Sequence, residues 1–182
     1  MTNRSTGKVI LFDSADLIDI VLRADRVASI LKVMPSMKEF DDGIESFERH
    51  YLGMMGEKAV EKYFNIPPNL RLSPGFDGGV DHVINGWKTQ TKLRTYRGQD
   101  CDLIFTSLDE FTADIAILTR LESPVAVSIL GCISKAKFAK VAKKTDYGHG
   151  KSICCTETDL KDVDSLLTIS EKMDYQREEV AL

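Results

Sequence analysis

This 182-residue chain has no apolar run approaching the roughly 20 residues that a bilayer crossing needs. Its opening, Met1-Thr-Asn-Arg-Ser-Thr-Gly-Lys8, also lacks the apolar stretch of a secretory leader. Both absences point to a cytoplasmic protein with no membrane partner. Cysteine is scarce as well. Cys101, Cys132, Cys154 and Cys155 show neither a Cys-x-x-Cys spacing nor a matching histidine spacing, which argues against a zinc site and a disulfide framework and leaves reduced, mostly buried thiols. No Ser-His-Asp order and no activated cysteine environment is recognisable, so nucleophilic catalysis is a poor candidate. There is no internal repeat, no low-complexity tract and no linker that would split the chain. Net positive charge is missing too. The formal charge is −4, unlike a tight, sequence-independent nucleic-acid binder.

What is present fits one soluble globular domain. Apolar residues make up 43% of the chain and charged residues 29%, enough of each to bury a core and solvate its surface. Positive charge is local, and phosphate contacts need only local charge because they act over about 8–10 Å. Lys88, Lys92, Arg94 and Arg97 form one cluster, with Tyr96 interleaved. Lys135, Lys137, Lys140, Lys143 and Lys144 form another on an expected helix. Phe138 and Val141 supply that helix's apolar side, so a solvated face and a DNA-contacting face are equally good readings of it.

The richest stretch is Gly79-Val-Asp-His-Val-Ile-Asn-Gly-Trp-Lys-Thr-Gln-Thr-Lys-Leu-Arg94. Asn85-Gly86 between two β-prone runs predicts a hairpin, since both central residues of a type I′ turn need positive φ. A two-residue loop pairs Ile84 with Trp87, Val83 with Lys88, His82 with Thr89 and Asp81 with Gln90. Alternation then puts Asp81, Gln90 and Lys92 on one face and Ile84, Trp87 and Thr91 on the other. Opposed Cβ atoms lie roughly 5 Å apart, close enough for an Asp oxygen and a Gln carbonyl oxygen to hold one Mg²⁺.

Asp81, an eight-residue interval and then Gln90-Thr-Lys92, preceded by a helix carrying Glu57, resemble the PD-(D/E)xK nuclease superfamily. The resemblance spans roughly residues 48–130, with weaker similarity onward to 144. It implies an α/β, restriction-endonuclease-like core in which a central mixed β-sheet carries a β-hairpin active site and is flanked by helices. In this division residues 1–40 are an N-terminal helical extension, 44–144 the core and 145–182 a C-terminal accessory segment. It further implies that Glu57, Asp81 and Gln90 bind Mg²⁺, with Mn²⁺ as its substitute, and that Lys92 lies by the attacking water. Two positions depart from the pattern. Val80 replaces the usual proline, and Gln90 replaces the usual second carboxylate, a change seen in some active members and compatible with loss of activity.

Elsewhere the periodicity is informative. Asp13-Ser14 caps an expected helix through about residue 34, with Leu17, Ile20, Val21, Ala24, Val27, Ala28 and Leu31 at three- and four-residue steps. A second helix is expected from Ile44 to Tyr63 or Phe64, before Pro67-Pro68. On it Glu57 shares a stripe with Gly53, Val60 and Phe64, while Lys58, Glu61 and Lys62 form a polar face. An acid on an inward stripe needs a partner. A metal shared with Asp81 is one, and a nearby lysine another. Gly53 and Gly56 would let the helix approach the sheet closely.

Arg71-Leu-Ser73 reads as a short strand. Asp77, in the glycine-rich turn before the hairpin, competes with Asp81 as a ligand but has the character of a turn residue. Residues 102–111 are ambiguous. Ala113–Leu118 and Val125–Leu130 are expected strands, Ser134 caps a helix to about Lys144, Ile153–Thr156 follows the loop Tyr147-Gly-His-Gly150, and a short helix is expected near 159–167. Among the histidines, His82 faces away from Asp81 and belongs to the core or an interface, His50 suits an exposed helix surface, and His149 sits in a loop.

The expected activity is Mg²⁺-dependent hydrolysis of DNA phosphodiesters, as an endonuclease, with Lys88, Arg94 and Arg97 contacting the backbone. The expected partners are DNA and a homodimer or larger nucleoprotein assembly. The alternative is a nuclease-fold protein without catalysis that binds or inhibits a protein or nucleic acid.

Overall fold

The computed structural model describes residues 7–33, 44–68, 79–95, 103–146 and 151–168. The class is α/β, with a mixed sheet flanked by helices. In chain order the elements are β1 (Lys8–Leu11), α1 (Ser14–Val33), α2 (Ile44–Phe64), β2 (His82–Ile84), β3 (Trp87–Arg94), β4 (Leu103–Phe105), β5 (Ile115–Ser123), β6 (Ala126–Ser134), α3 (Lys135–Val141), β7 (Lys143–Asp146), β8 (Lys151–Cys155) and α4 (Ser165–Thr168). The five-stranded sheet runs β1-β6-β5-β3-β2 and a smaller sheet runs β4-β8-β7. Among the described strands β3 and β5 pair in parallel and the other pairs are antiparallel.

Both faces of the large sheet are covered, which is why β6 is buried along its whole length and reads as an apolar run without alternation. On one face Ile84, Trp87, Ile115, Ile117, Val127 and Ile129 meet Ile20 of α1 and Met55, Ala59 and Val60 of α2. On the other, Ala116, Leu118, Leu130 and Ile133 meet Leu103, Phe105, Phe111, Phe138 and Cys155. The small sheet and α3 therefore cover the face opposite the two long helices.

The two long helices occupy the expected spans. Asp13 Oδ1 accepts from the Asp16 N–H, and Asp16 Oδ2 accepts from the Asp13 N–H, each at 3.0 Å, a reciprocal cap at the start of α1. The polar face of α2 is not solvated, however. Lys58 pairs with Asp19 at 2.8 Å, Lys62 pairs with Asp16, and Glu61 is buried against Arg23. The helices thus join through matched charges, a feature that periodicity in either helix alone does not reveal.

Other elements differ from expectation. Lys8–Leu11, in the segment read as helical extension, is a strand that pairs with β6 and completes one edge of the sheet. The helix capped by Ser134, whose Oγ accepts from the Lys137 N–H at 3.1 Å, stops at Val141 and not near Lys144. Ala142 is already extended, and Lys143–Asp146 gains a ladder with β8 that outweighs another helical turn. The expected helix near 159–167 is a 3-10 turn at Glu157–Asp159 and the four-residue α4. Arg71–Ser73, Asp77, Arg97, Cys101 and His149 lie outside the described residues. Cys132, Cys154 and Cys155 are buried and form no disulfide among the described residues, and burial pushes the Cys132 thiol up to about 11.

Candidate functional site

The hairpin adopts the register that its turn chemistry dictates. Asn85 and Gly86 have φ of 48° and 82°, and His82, Val83 and Ile84 pair with Thr89, Lys88 and Trp87. The Asn85 side chain is fixed further by donating to Leu166 O at 2.7 Å. Before His82 the ladder changes. The Asp81 N–H donates to Thr89 O at 2.8 Å, and the Asp81 carboxylate accepts the Thr91 N–H at 2.5 Å. Asp81 thus supplies from its side chain the acceptor that a longer β2 would have supplied from its backbone, and the carboxylate is held at the sheet edge beside β3.

Alternation along β3 gives Lys88, Gln90, Lys92 and Arg94 a common face, the one covered by the small sheet. Gln90 is 7% exposed, and its amide oxygen Oε1 has no hydrogen-bond partner among the described residues. Gly79, at φ +72°, crosses so close that an added Cβ would lie 3.2 Å from Gln90 Nε2 and 2.4 Å from Thr112 Oγ1. Glycine is required here both for the backbone angle and for the approach. Lys92 Nζ lies 2.7 Å from Glu110 Oε1 and 4.9 Å from the centroid of the Phe105 ring. The other oxygen of Glu110 accepts from Thr106 N–H at 2.6 Å and Thr106 Oγ1 at 2.9 Å. Burial alone would raise the Glu110 carboxyl, but the Lys92 and Thr106 hydrogen bonds outweigh it and hold the carboxyl below its ordinary value. Segment 106–112 therefore roofs Gln90 and Lys92. Sequence reasoning left it unassigned, although Ser107-x-x-Glu110 has the spacing of a local side-chain cap, and the Glu110 N–H does donate to Ser107 Oγ at 3.4 Å.

Glu57 approaches from the helical face. Gly56 lets α2 sit so low on the sheet that an added Cβ would come within 2.9 Å of Thr119 Oγ1 and 3.3 Å of Thr91 Cγ2. Gly53, paired with it in the sequence argument, has open space around it and performs no such role. Thr91 lies between the two faces: its amide holds Asp81, and its methyl would lie 3.3 Å from a Cβ added at Gly56, the residue before Glu57. The Glu57 carboxylate lies 3.2 Å from Arg23 Nη2. Arg23 also binds Glu61, whose Oε1 lies 3.3 Å from His82 Nε2. The partner demanded by an inward acid is consequently an arginine of α1, a residue the sequence argument did not weigh. His82 is buried, as expected from its register. His50 is half-buried, and burial together with the charge of Arg49 lowers its pKa.

Asp81 and Gln90 present carboxylate and amide oxygens, the donor chemistry of a hard divalent cation, and the orphaned Gln90 Oε1 is the atom such an ion would satisfy. Mg²⁺ commonly takes one or two carboxylates and fills its remaining positions with water and phosphate, so a small protein donor set fits. Among the described residues no three histidine, cysteine, aspartate or glutamate side chains form a group able to hold a metal ion. Of the expected backbone contacts, Lys88 is exposed and Arg94 Nη2 donates to Ile104 O at 3.4 Å. No helix among the described residues is long and apolar enough to cross a membrane. Comparison with protein-family models, with curated proteins and with solved structures found no match.

Proposed function

We propose that this protein is a metal-dependent DNA nuclease of restriction-endonuclease-like architecture, cutting phosphodiester bonds as an endonuclease. The observation that carries the reading is the buried amide oxygen of Gln90, unpartnered among the described residues, on a hairpin that also presents Asp81 and Lys92. A buried acceptor without a donor costs about 1–3 kcal/mol, a cost that a cation would relieve. Asp81 and Gln90 are the proposed Mg²⁺ or Mn²⁺ ligands; Glu57, paired with Arg23 on the helix-covered face opposite Gln90, stands apart from them. A divalent cation held by Asp81 and Gln90 would supply Lewis acidity toward the phosphate and toward a bound water.

The chain's own residues do the rest. Lys92 orients the attacking water and stabilises charge that develops on the phosphate oxygens. Lys88 and Arg94, on the same strand face, bind the flanking phosphates, and Arg97 is assigned the same role. Glutamine at position 90 removes one negative charge, so affinity leans on Asp81, and Mn²⁺ supports more activity than Mg²⁺. Equal activity with both ions across a full titration would count against that assignment.

A second reading has its own support. Lys92 and Glu57 are both engaged in ion pairs, as they would be in a non-catalytic protein that keeps the nuclease shape to bind or inhibit a partner. Cleavage assays separate the two. Supercoiled, linear and branched DNA are incubated with Mg²⁺ or Mn²⁺ and wild-type, Asp81→Ala or Lys92→Ala protein, while calorimetry follows metal binding. Metal-dependent cleavage that both substitutions abolish supports the nuclease. Neither cleavage nor metal binding supports the binding protein, and metal binding without cleavage points to a nuclease that works only within a larger assembly.

A further inference from the structure

We infer that Glu110 is the positioning residue for Lys92, holding its ammonium over the Gln90 side of the hairpin in the orientation that phosphodiester cleavage requires. The inference rests on the nuclease reading and adds a residue that the hairpin motif does not contain.

Lysine is a point charge on a flexible stem, so aiming it costs side-chain entropy unless something anchors the head. Here three restraints converge. Glu110 Oε1 takes the ammonium at 2.7 Å. The Phe105 ring lies beneath it with its centroid at 4.9 Å. Glu110 is itself immobilised, because Thr106 donates to its second oxygen from both backbone and side chain, at 2.6 and 2.9 Å. Phe105 in turn is stacked on Phe111 at 4.7 Å and packed edge-on against Phe138 at 5.2 Å. The floor and the clamp therefore belong to one rigid unit, β4 and the turn after it, which also brings Thr112 over Gly79 and Gln90.

Position matters chemically. Where this hairpin carries Gln90, no carboxylate two residues before Lys92 can hold the ammonium, and Glu110 provides one from a separate segment. Its carboxylate is bonded to Lys92 and Thr106, and it acts on the reaction through Lys92.

The test uses the full chain as wild type, Glu110→Gln and Glu110→Asp. The first readout needs no substrate: the Lys92 ammonium in a nitrogen-15 NMR spectrum, protected from solvent exchange by its carboxylate. The expected result is a protected signal in wild type, lost in Glu110→Gln and partly kept in Glu110→Asp. The second is steady-state cleavage of duplex DNA. The expectation for Glu110→Gln is kcat lower by about 10–100-fold with KM within about twofold, and a partial return of kcat in Glu110→Asp, the scale seen when an outer partner of a functional group is removed. A Glu110→Gln protein that keeps kcat while Lys92→Ala loses it would overturn the inference, as would a Lys92 signal equally protected without the carboxylate. If wild type neither cleaves DNA nor binds metal, the nuclease reading falls, and the ammonium signal still decides whether Glu110 holds Lys92.

Discussion

Arg23 on α1 grips both carboxylate oxygens of Glu61 on α2, at 2.9 and 3.0 Å, in an environment that leaves the Glu61 side chain only 3% exposed. The same guanidinium reaches Glu57, and Glu61 continues to His82 at the start of the hairpin. One buried network therefore ties both long helices to the strand that follows Asp81. Removing one member of such a pair strands a charge, which is costlier than removing both.

Arg23→Met is accordingly expected to destabilise the fold by about 3–5 kcal/mol. Adding Glu61→Gln, which takes away the more deeply buried of the two stranded carboxylates, Glu61 and Glu57, should return part of that loss. Urea unfolding of the two variants measures the difference. A single substitution costing under about 1 kcal/mol would mean the pair behaves as a surface bridge.

The two glycines of α2 should respond to alanine with opposite signs. Each gains up to about 1 kcal/mol of helix propensity. Gly53 has nothing within 4 Å, so Gly53→Ala is expected to stabilise by roughly that amount. At Gly56 the new methyl meets Thr119 Oγ1 at 2.9 Å and Leu93 Cβ at 3.2 Å, and Thr119 is itself bonded to Lys92 O. Overpacking of about 1–3 kcal/mol then outweighs propensity, and thermal melts should show Gly56→Ala below wild type.

Positive φ alone and positive φ with a clash can be told apart in the hairpin region. Gly86, at φ 82°, has open space, so Gly86→Ala costs only the backbone term of about 1–2 kcal/mol. Gly79→Ala adds a collision with Thr112 Oγ1 and a close contact with the Gln90 amide. Its expected loss is greater than that of Gly86→Ala in parallel denaturation curves, and any metal affinity should fall with it because Gln90 must move.

Acid sensitivity follows from two carboxyls held below their ordinary values. For Asp16, as for Glu110, burial pushes upward and is outweighed, here by Lys62 and the Asp13 N–H. A carboxyl depressed in the folded state contributes stability that is fully present above its unfolded pKa and is lost as pH falls through the folded one. With ordinary values of 3.8 and 4.5, the loss should begin near pH 4.5 and deepen below it. Melting temperatures from pH 6 to pH 2.5 should fall less steeply in Glu110→Gln and Asp16→Asn than in wild type. Parallel slopes in all three proteins would show that neither group governs the acid limb.

Local chemistry made several elements legible. Asn85-Gly86 set the hairpin register because only a few residues accept positive φ at two successive positions. Asp13 and Ser134 marked helix starts because their side chains replace missing backbone partners. The spans of α1 and α2 followed from apolar spacing and from the prolines beyond them. β1 was missed because four residues at a sheet edge carry too little alternation to announce a strand before their partner β6 is known. β7 was missed for a related reason: Lys143–Asp146 has neither strong β-propensity nor an apolar face, and only pairing with β8 makes it extended.

At the candidate site the division is sharper. The amino-acid order by itself determined that Gln90 and Lys92 share a strand face and that Asp81 stands at the head of that strand's partner, since a two-residue turn and a period of two leave no other choice. Tertiary structure alone decided what those groups touch. Glu110 and Phe105 reach Lys92 from a segment with no periodic signal, and Arg23 meets Glu57 from 34 residues earlier in the chain. Turn angles and strand alternation are set by neighbours along the backbone, whereas the partners of a buried charge are set by packing between elements whose separation in sequence carries no record of their contact.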